Sequence, residues 1–104
     1  MRKLVTTLAI VSLLAGIAAV TAAATTPSVS WHVGTNKTVK IRKGGAVKWV
    51  WAGDAQHNVK GKGFTSAFHT KKGATYTHIF RTKGTFTITC QVHPGSMKTI
   101  VKVS

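Results

Sequence analysis

Hydrophobic and polar positions alternate with a period of two through most of the chain after residue 24. Such alternation is typical of strands that bury one face. It runs through residues 29–33, 38–41, 47–51, 76–80, 86–90 and 101–103. Short glycine-containing turns separate these runs, and residues 64–72 show neither strand nor helix period, which predicts a long connection over one edge. Many short strands with this punctuation predict an all-β domain, either a sandwich or a barrel.

The first 24 residues follow a different pattern. A short basic start, residues 1–3, precedes an apolar run over residues 4–20 and three small residues, Ala22 to Ala24. This pattern is typical of a secretory signal peptide and predicts cleavage after Ala24. A retained N-terminal anchor is the alternative, although threonine and serine dilute the apolar run. We therefore expect a signal peptide over residues 1–24, one domain over residues 25–104, and export to the periplasm, the cell envelope or the extracellular space.

The charge is strongly one-sided, with 15 lysines and arginines against one acidic residue and a net charge of +14 in a chain of 104 residues. A single acid, Asp54, excludes paired-carboxylate hydrolysis and makes an oxygen-rich calcium or magnesium site implausible. The positive charge predicts salt-dependent attraction to anionic partners. No nucleic-acid-binding motif accompanies the basic residues, so we expect them to form a solvated surface and predict no nucleic-acid partner.

Three potential metal ligands lie within eight residues: Cys90, His93 and Met97. A fourth, His57, lies 33 residues before the cysteine. A β-sandwich can bring the strand that precedes His57 beside the last two strands of the chain. Each residue alone is more often a core or surface residue, but their combination within one short loop is improbable by chance. Thiolate, thioether and imidazole together are the donors of a blue-copper site. Zinc is the alternative metal, and it would leave Met97 without a role.

Residues 28–104 resemble the plastocyanin, pseudoazurin and amicyanin group of cupredoxins. The matching motifs are Val47-Lys48-Trp49, His57-Asn58-Val59, Gly84-Thr85-Phe86, Cys90-Gln91-Val92-His93, Met97 and Val101-Lys102-Val103. The resemblance implies a Greek-key β-sandwich that holds one mononuclear type 1 copper, cycling between Cu(I) and Cu(II). It implies that His57, Cys90 and His93 are equatorial ligands, with both histidines binding through Nδ1, and that Met97 is the axial ligand. It further implies that His93 sits in an exposed apolar patch, and that Asn58 ties the upstream strand to the ligand loop.

The remaining histidines and the loop spacing depart from the simplest version of this pattern. Three residues separate His93 from Met97, where close relatives often have two or four. His32 alternates away from its buried neighbour and His69 lies in the irregular connection, so we expect both to be exposed. His78 shares a stripe with aromatic residues, which predicts partial burial. We expect these three histidines to have structural or solvent roles.

The resemblance implies a one-electron carrier and not an enzyme. Its expected partners are redox proteins with anionic docking surfaces, such as a cytochrome, an oxidase or a reductase. We expect a monomer that associates with a membrane only if its N-terminal segment is retained. Two other interpretations stay open: a copper storage or delivery protein of the cell envelope, which would use the same ligands, and a cationic binding module in which a metal is incidental.

Overall fold

The computed structural model describes residues 25–104, so the predicted signal peptide lies outside the described residues. The described chain forms eight strands and no helix. The strands are β1 (Ser28–Trp31), β2 (Asn36–Ile41), β3 (Ala46–Trp51), β4 (Lys60–Gly61), β5 (Phe64–Thr65), β6 (Thr75–Ile79), β7 (Gly84–Thr89) and β8 (Lys98–Val103). Accordingly, residues 25–104 include no helix of the length and hydropathy needed to cross a membrane. The all-β prediction is confirmed.

The strands form two sheets, one of three strands in the order β1-β3-β6 and one of five in the order β2-β8-β7-β4-β5. Two of the pairings, β1 with β3 and β2 with β8, are parallel. Parallel neighbours cannot be joined by a tight hairpin, so the chain must leave one sheet and return between them. The pairs β3 with β6 and β7 with β8 are antiparallel. The result is the predicted β-sandwich with crossed connections.

The space between the sheets is filled by the hydrophobic halves of the alternating runs. Trp31, Trp49 and Trp51 are all buried, and the rings of Trp31 and Trp49 pack edge to face with centroids 6.5 Å apart. Two of the indole nitrogens have hydrogen-bond acceptors inside the core, since Trp31 donates to the carbonyl of Asn58 and Trp49 donates to the hydroxyl of Thr99. Satisfying these N–H groups allows such large side chains to be buried without an unpaired polar atom.

Two details of the sequence-based prediction were wrong. The alternation at residues 29–33 predicts a strand through Val33, but β1 ends at Trp31 and the Val33 side chain is 54% exposed. The segment 64–72 is not an unpaired connection throughout, because it begins with β5, which pairs with β4. Strands of two residues are too short to show a period of two, and the only sequence signal for this hairpin is the run Gly61-Lys62-Gly63, which ends β4 and forms the turn before β5.

Candidate metal centre

Three of the four predicted ligands converge at one end of the sandwich. One donor atom from each of His57, Cys90 and His93 lies within 4.8 Å of the other two. The Cys90 sulfur is 3.8 Å from Nδ1 of His57, and the imidazole rings of His57 and His93 have centroids 5.1 Å apart at an angle of 65°. Residues from two distant segments of the chain are therefore arranged around a single point.

His57 is positioned by backbone pairing with the segment that follows β5. The His57 N–H donates to the carbonyl of His69, and the His69 N–H donates to the carbonyl of His57, both at 3.0 Å. The pairing continues at Val59, whose N–H donates to the hydroxyl of Ser66 and whose carbonyl accepts from the Ser66 N–H, each at 2.8 Å. Pairing at both ends of the 57–59 segment fixes the direction in which the His57 side chain leaves the backbone.

Cys90 follows directly after β7, and its position continues the alternation of that strand. Ile88 is buried in the core, so the cysteine two residues later faces the same way and is also fully buried. The chain then turns, and the Ser96 N–H donates to the carbonyl of His93 at 3.0 Å. The Ser96 carbonyl in turn accepts from the Gly34 N–H at 2.7 Å, which anchors this ligand loop to the segment after β1.

The Nδ1 atom of His93 is buried and has no hydrogen-bond partner among the described residues. Buried polar atoms nearly always have a partner, so a buried atom without one points to a ligand or to a special role. His93 also offers a ring nitrogen within 4.8 Å of donor atoms of Cys90 and His57, so an unpartnered nitrogen on this ring fits a residue that binds a metal ion. One thiolate and two imidazoles form the equatorial donor set of blue-copper centres, so the buried cluster fits a type 1 copper site.

The environment of His57 favours the neutral form that a metal ligand needs. Its side chain is 2% exposed, and burial lowers the pKa of His57 from its ordinary value of 6.5. The positive charges that His93 and His32 can carry lower that pKa further. A proton on the ring is therefore disfavoured by loss of solvent first and by like-charge repulsion second.

Asn58 links the His57 segment to the ligand loop. Its Oδ1 accepts a hydrogen bond from the Gln91 backbone N–H, and its Nδ2 donates to Oε1 of the Gln91 side chain, both at 2.8 Å. The Asn58 carbonyl accepts a third bond from Trp31. The tie between strand and loop that the resemblance implies is present. The role of Asn58 in supporting a bound metal stays a prediction, as do the metal-binding roles of the four ligands.

Met97 is fully buried and packs in the same hydrophobic core as Cys90 and Ile88. It lies immediately before β8, so its backbone is held by the start of that strand. Burial rules out a solvated surface position for this methionine. It is compatible both with packing alone and with the axial role, which stays a prediction.

The other three histidines differ in environment. His32 is exposed, as predicted, and its Nδ1 lies 2.8 Å from the Val33 carbonyl. His78 is half-buried, as predicted. His69 is not exposed as expected; it is half-buried, with its ring edge-on to Trp51 at 5.2 Å and its carbonyl accepting from the Trp51 indole. Its backbone pairing with His57 is the reason, because it draws the connection onto the core.

The sequence did not predict several of the residues that position the candidate ligands. Ser66 and His69 orient the His57 segment, and Gln91 completes the bridge to Asn58. A serine and a histidine in a segment without periodicity carry no local signal of such a role. Gln91 lies between two predicted ligands, so its proximity to the site followed from the sequence but its partner did not.

The surface beside His93 is partly apolar. His93 is half-buried, Val92 is 40% exposed and Pro94 is exposed. Val33 and Pro94 line the same shallow depression, which also reaches Met97. Exposed apolar residues thus flank His93 in the ligand loop, and the apolar patch around His93 that the resemblance implies stays a prediction.

Solved structures of known proteins superpose on this chain. No protein-family model matches the chain, and no curated protein sequence matches it. Among solved structures, an oxidized amicyanin variant superposes with a TM-score of 0.66 at 21% identity, over 80% of this chain and 86% of that one. The Cu(I) form of another amicyanin variant gives 0.64 at 23% identity, over 80% and 86%. A purple cupredoxin from Nitrosopumilus maritimus gives 0.59 at 24% identity, over 64% and 77%.

These superpositions cover most of the described residues, and they confirm the fold that the sheet order already indicates. The described part of the chain has the cupredoxin fold.

Proposed function

We propose that this protein is a type 1 copper protein that carries single electrons between redox partners. The observation that carries the proposal is the buried convergence of His57, Cys90 and His93, with Nδ1 of His93 lacking a hydrogen-bond partner among the described residues. Copper, when bound, supplies the one-electron chemistry. Amicyanin, to which the chain is similar in fold, is known in oxidized and in Cu(I) forms.

The chain's own residues would bind the ion, exclude water and keep the site rigid. His57, Cys90 and His93 would be the equatorial ligands and Met97 a weak axial one. The 57–59 segment is paired with residues 66–69, and the ligand loop is tied to it through Asn58. Ligands that are held in place before and after a change of oxidation state need little movement to accept or release an electron. Full burial of Cys90 and Met97 keeps both sulfur atoms away from solvent.

The half-buried ring of His93 would be the point at which electrons leave and enter. The apolar surface beside it, with Val92 and Pro94, would let a partner approach closely. The high positive charge favours partners with anionic docking surfaces, such as a cytochrome, an oxidase or a reductase, because charge complementarity accelerates encounter. We further propose that the protein is exported, that it acts as a monomer, and that it is a carrier rather than an enzyme.

The test is to add Cu(II) to the purified protein and record its visible and electron paramagnetic resonance spectra. We expect an intense colour that disappears on reduction and returns on reoxidation. His57→Ala and Cys90→Ala should abolish it, and Met97→Leu should shift the spectrum and the reduction potential while retaining colour. His32→Ala is the matched control, because His32 is exposed and is not one of the clustered donors.

Two results would contradict the proposal. Colour that persists in Cys90→Ala would place the copper elsewhere. A coloured protein that cannot be cycled, but that passes its copper to an acceptor protein, would favour the storage or delivery function. Measuring electron transfer to a cytochrome beside copper transfer to an acceptor separates these two functions directly.

A further inference from the structure

The outer surface of the five-stranded sheet carries lysines that the metal centre does not use. Lys40 on β2 lies directly opposite Lys102 on β8. Lys98 on β8 lies opposite Thr89 on β7, which in turn lies opposite Lys60 on β4. Residues opposite one another in register project from the same face of a sheet. Lys40, Lys60, Lys98 and Lys102, all exposed, form what we call the cationic face.

The cationic face holds its charges close together without compensation. Neighbouring strands are about 4.8 Å apart, so Lys40 and Lys102 are immediate neighbours, and Lys98 lies about 13 Å along β8 from Lys102. Like charges at such separations repel one another. The only acidic side chain of the chain, Asp54, lies in the loop after β3, where it accepts a hydrogen bond from the Lys72 backbone. Folding thus leaves this face in need of negative charge from outside the chain.

The positions between the lysines are mostly hydroxyl-bearing. Thr38, Ile100 and Thr87 form the row between the two lysine rows. Ile100 is half-buried, and the paired positions of this face include no aromatic residue. Specific protein interfaces are centred on tryptophan, tyrosine or arginine anchors and are depleted in lysine. The composition therefore suits a laterally extended layer of anions better than a protein partner with pockets for anchor residues.

We propose that the cationic face docks the protein on a lipid bilayer that contains anionic phospholipid headgroups. The sequence alone predicts membrane association only if the N-terminal segment is retained, whereas docking through the cationic face needs no such segment. Lysines close to such a surface contribute to binding almost independently, and the attraction weakens as salt is added. The threonine hydroxyls can donate hydrogen bonds to phosphate oxygens. His93 lies in the loop beyond β7, outside this face, so the docking requires neither copper nor the apolar surface beside His93. The proposal is independent of the proposed electron-carrier function.

The test is sedimentation of the purified protein with vesicles of phosphatidylcholine that either contain or lack phosphatidylglycerol. The test variant is Lys40→Gln with Lys102→Gln. The matched control is Lys48→Gln with Lys71→Gln, which removes the same charge from exposed positions outside the five-stranded sheet. Polyglutamate serves as a soluble acidic polypeptide probe. The far-ultraviolet circular dichroism and thermal unfolding of each variant establish that it is folded.

We expect the unmodified protein to sediment with phosphatidylglycerol vesicles at low salt and to be released at high salt. The test variant should bind these vesicles about 30-fold more weakly, whereas the control should lose much less. An equal loss of vesicle affinity in both variants would show that binding depends only on net charge, and it would overturn the proposal. Binding to pure phosphatidylcholine that survives the test substitutions would assign it to another segment. A test variant that loses polyglutamate binding but keeps vesicle binding would replace the bilayer with an acidic protein partner.

Discussion

The side chain of Asn58 meets Gln91 through two hydrogen bonds, one to the backbone N–H and one to the side-chain carbonyl, each 2.8 Å long. The two residues are separated by 33 positions in the chain and adjoin His57 and Cys90 respectively. Because Asn58 is fully buried, its amide group has no solvent to replace a lost partner, although Gln91 itself is exposed. The Asn58 amide group therefore ties together the two segments that carry these predicted ligands.

We expect Asn58→Ala to lower the free energy of unfolding by about 1–3 kcal/mol, because it removes both bonds and leaves the Gln91 N–H without its acceptor. Metal affinity should fall by about 10–100-fold, the usual effect of removing a group that orients metal ligands. Denaturant unfolding of the metal-free protein and competition with a copper chelator measure the two effects.

The control for this prediction is Gln91→Ala, which keeps the bond from the Gln91 backbone to Asn58 and removes only the side-chain bond. We expect it to have the smaller effect on both quantities. Equal effects of the two substitutions would mean that the backbone contact does not position the ligand loop.

Most of the fold followed from the sequence because its strands bury one face. Runs such as 47–51 place Val47, Trp49 and Trp51 inside, and the structure buries all three. Alternation does not predict which strands pair, because the parallel pairs β1 with β3 and β2 with β8 join segments that are not consecutive in the chain. The two-residue strands β4 and β5 were missed for a different reason, since a period needs more residues to appear.

The candidate site divides in a similar way. Cys90, His93 and Met97 could be identified from one local loop, because a thiol, an imidazole and a thioether rarely occur within eight residues by chance. That His57 joins them depends on where its segment lies in the sandwich, and its exact placement depends on pairing with Ser66 and His69. Those contacts are formed largely by backbone groups, which every residue possesses, so side-chain identity could not reveal them.

The tight contact between β4 and β5 gives a prediction about Gly61. A Cβ atom at this position would lie 2.5 Å from the ring of Phe64 and 3.2 Å from Cγ1 of Ile88. The Phe64 ring is itself confined, since it stacks on His78 with centroids 3.6 Å apart. We expect Gly61→Ala to destabilise the protein by about 1–3 kcal/mol through overpacking, measured by denaturant unfolding.

Gly53→Ala is the matched control, because a Cβ atom at Gly53 would have no neighbouring atom within 4 Å and its backbone needs no left-handed conformation. It should change the free energy of unfolding little. A Gly61→Ala protein as stable as the Gly53→Ala protein would show that Phe64 moves aside freely, contrary to its packing against His78.

The burial of the His78 ring among aromatic side chains leads us to expect a loss of stability in mild acid. This ring stacks on Phe64 and packs at a right angle to the ring of Phe80, and this burial lowers the pKa of His78 from its ordinary value of 6.5. As the pH falls below 6.5, the unfolded chain takes up a proton at this position before the folded chain does. As the pH falls, the free energy of unfolding should therefore decrease until the pH is below the folded-state pKa of His78. Below that pH, His78 should cause no further decrease.

The measurement is denaturant unfolding at a series of pH values from about 7.5 to about 5, for the unmodified protein and for His78→Gln. The variant loses the ring packing at every pH, so the comparison concerns the slope and not the absolute stability. We expect the variant to have the shallower slope. Identical slopes would mean that the aromatic surroundings of His78 do not oppose its protonation.

The metal centre predicts that copper stabilises the folded protein through its ligands. An ion that binds only the folded state adds about 1.4 kcal/mol to the free energy of unfolding for each tenfold excess over its dissociation constant. Thermal unfolding should therefore move to higher temperature as copper is added, and Cys90→Ala should remove this shift. Met97→Leu, a substitution of similar size in the same core, should reduce the copper-induced shift only partly, because a thioether is a weak axial ligand.

A comparison of zinc with copper shows which of these two metals the donor set prefers. If copper stabilises the unmodified protein more than zinc does, and Met97→Leu narrows that difference, the thioether contributes to copper binding as proposed. If zinc stabilises the protein as strongly as copper and Met97→Leu has the same small effect with both ions, then Met97 is a packing residue and the site is a three-ligand centre. The soft thioether of Met97, four positions after His93 in the chain, leads us to expect the first result.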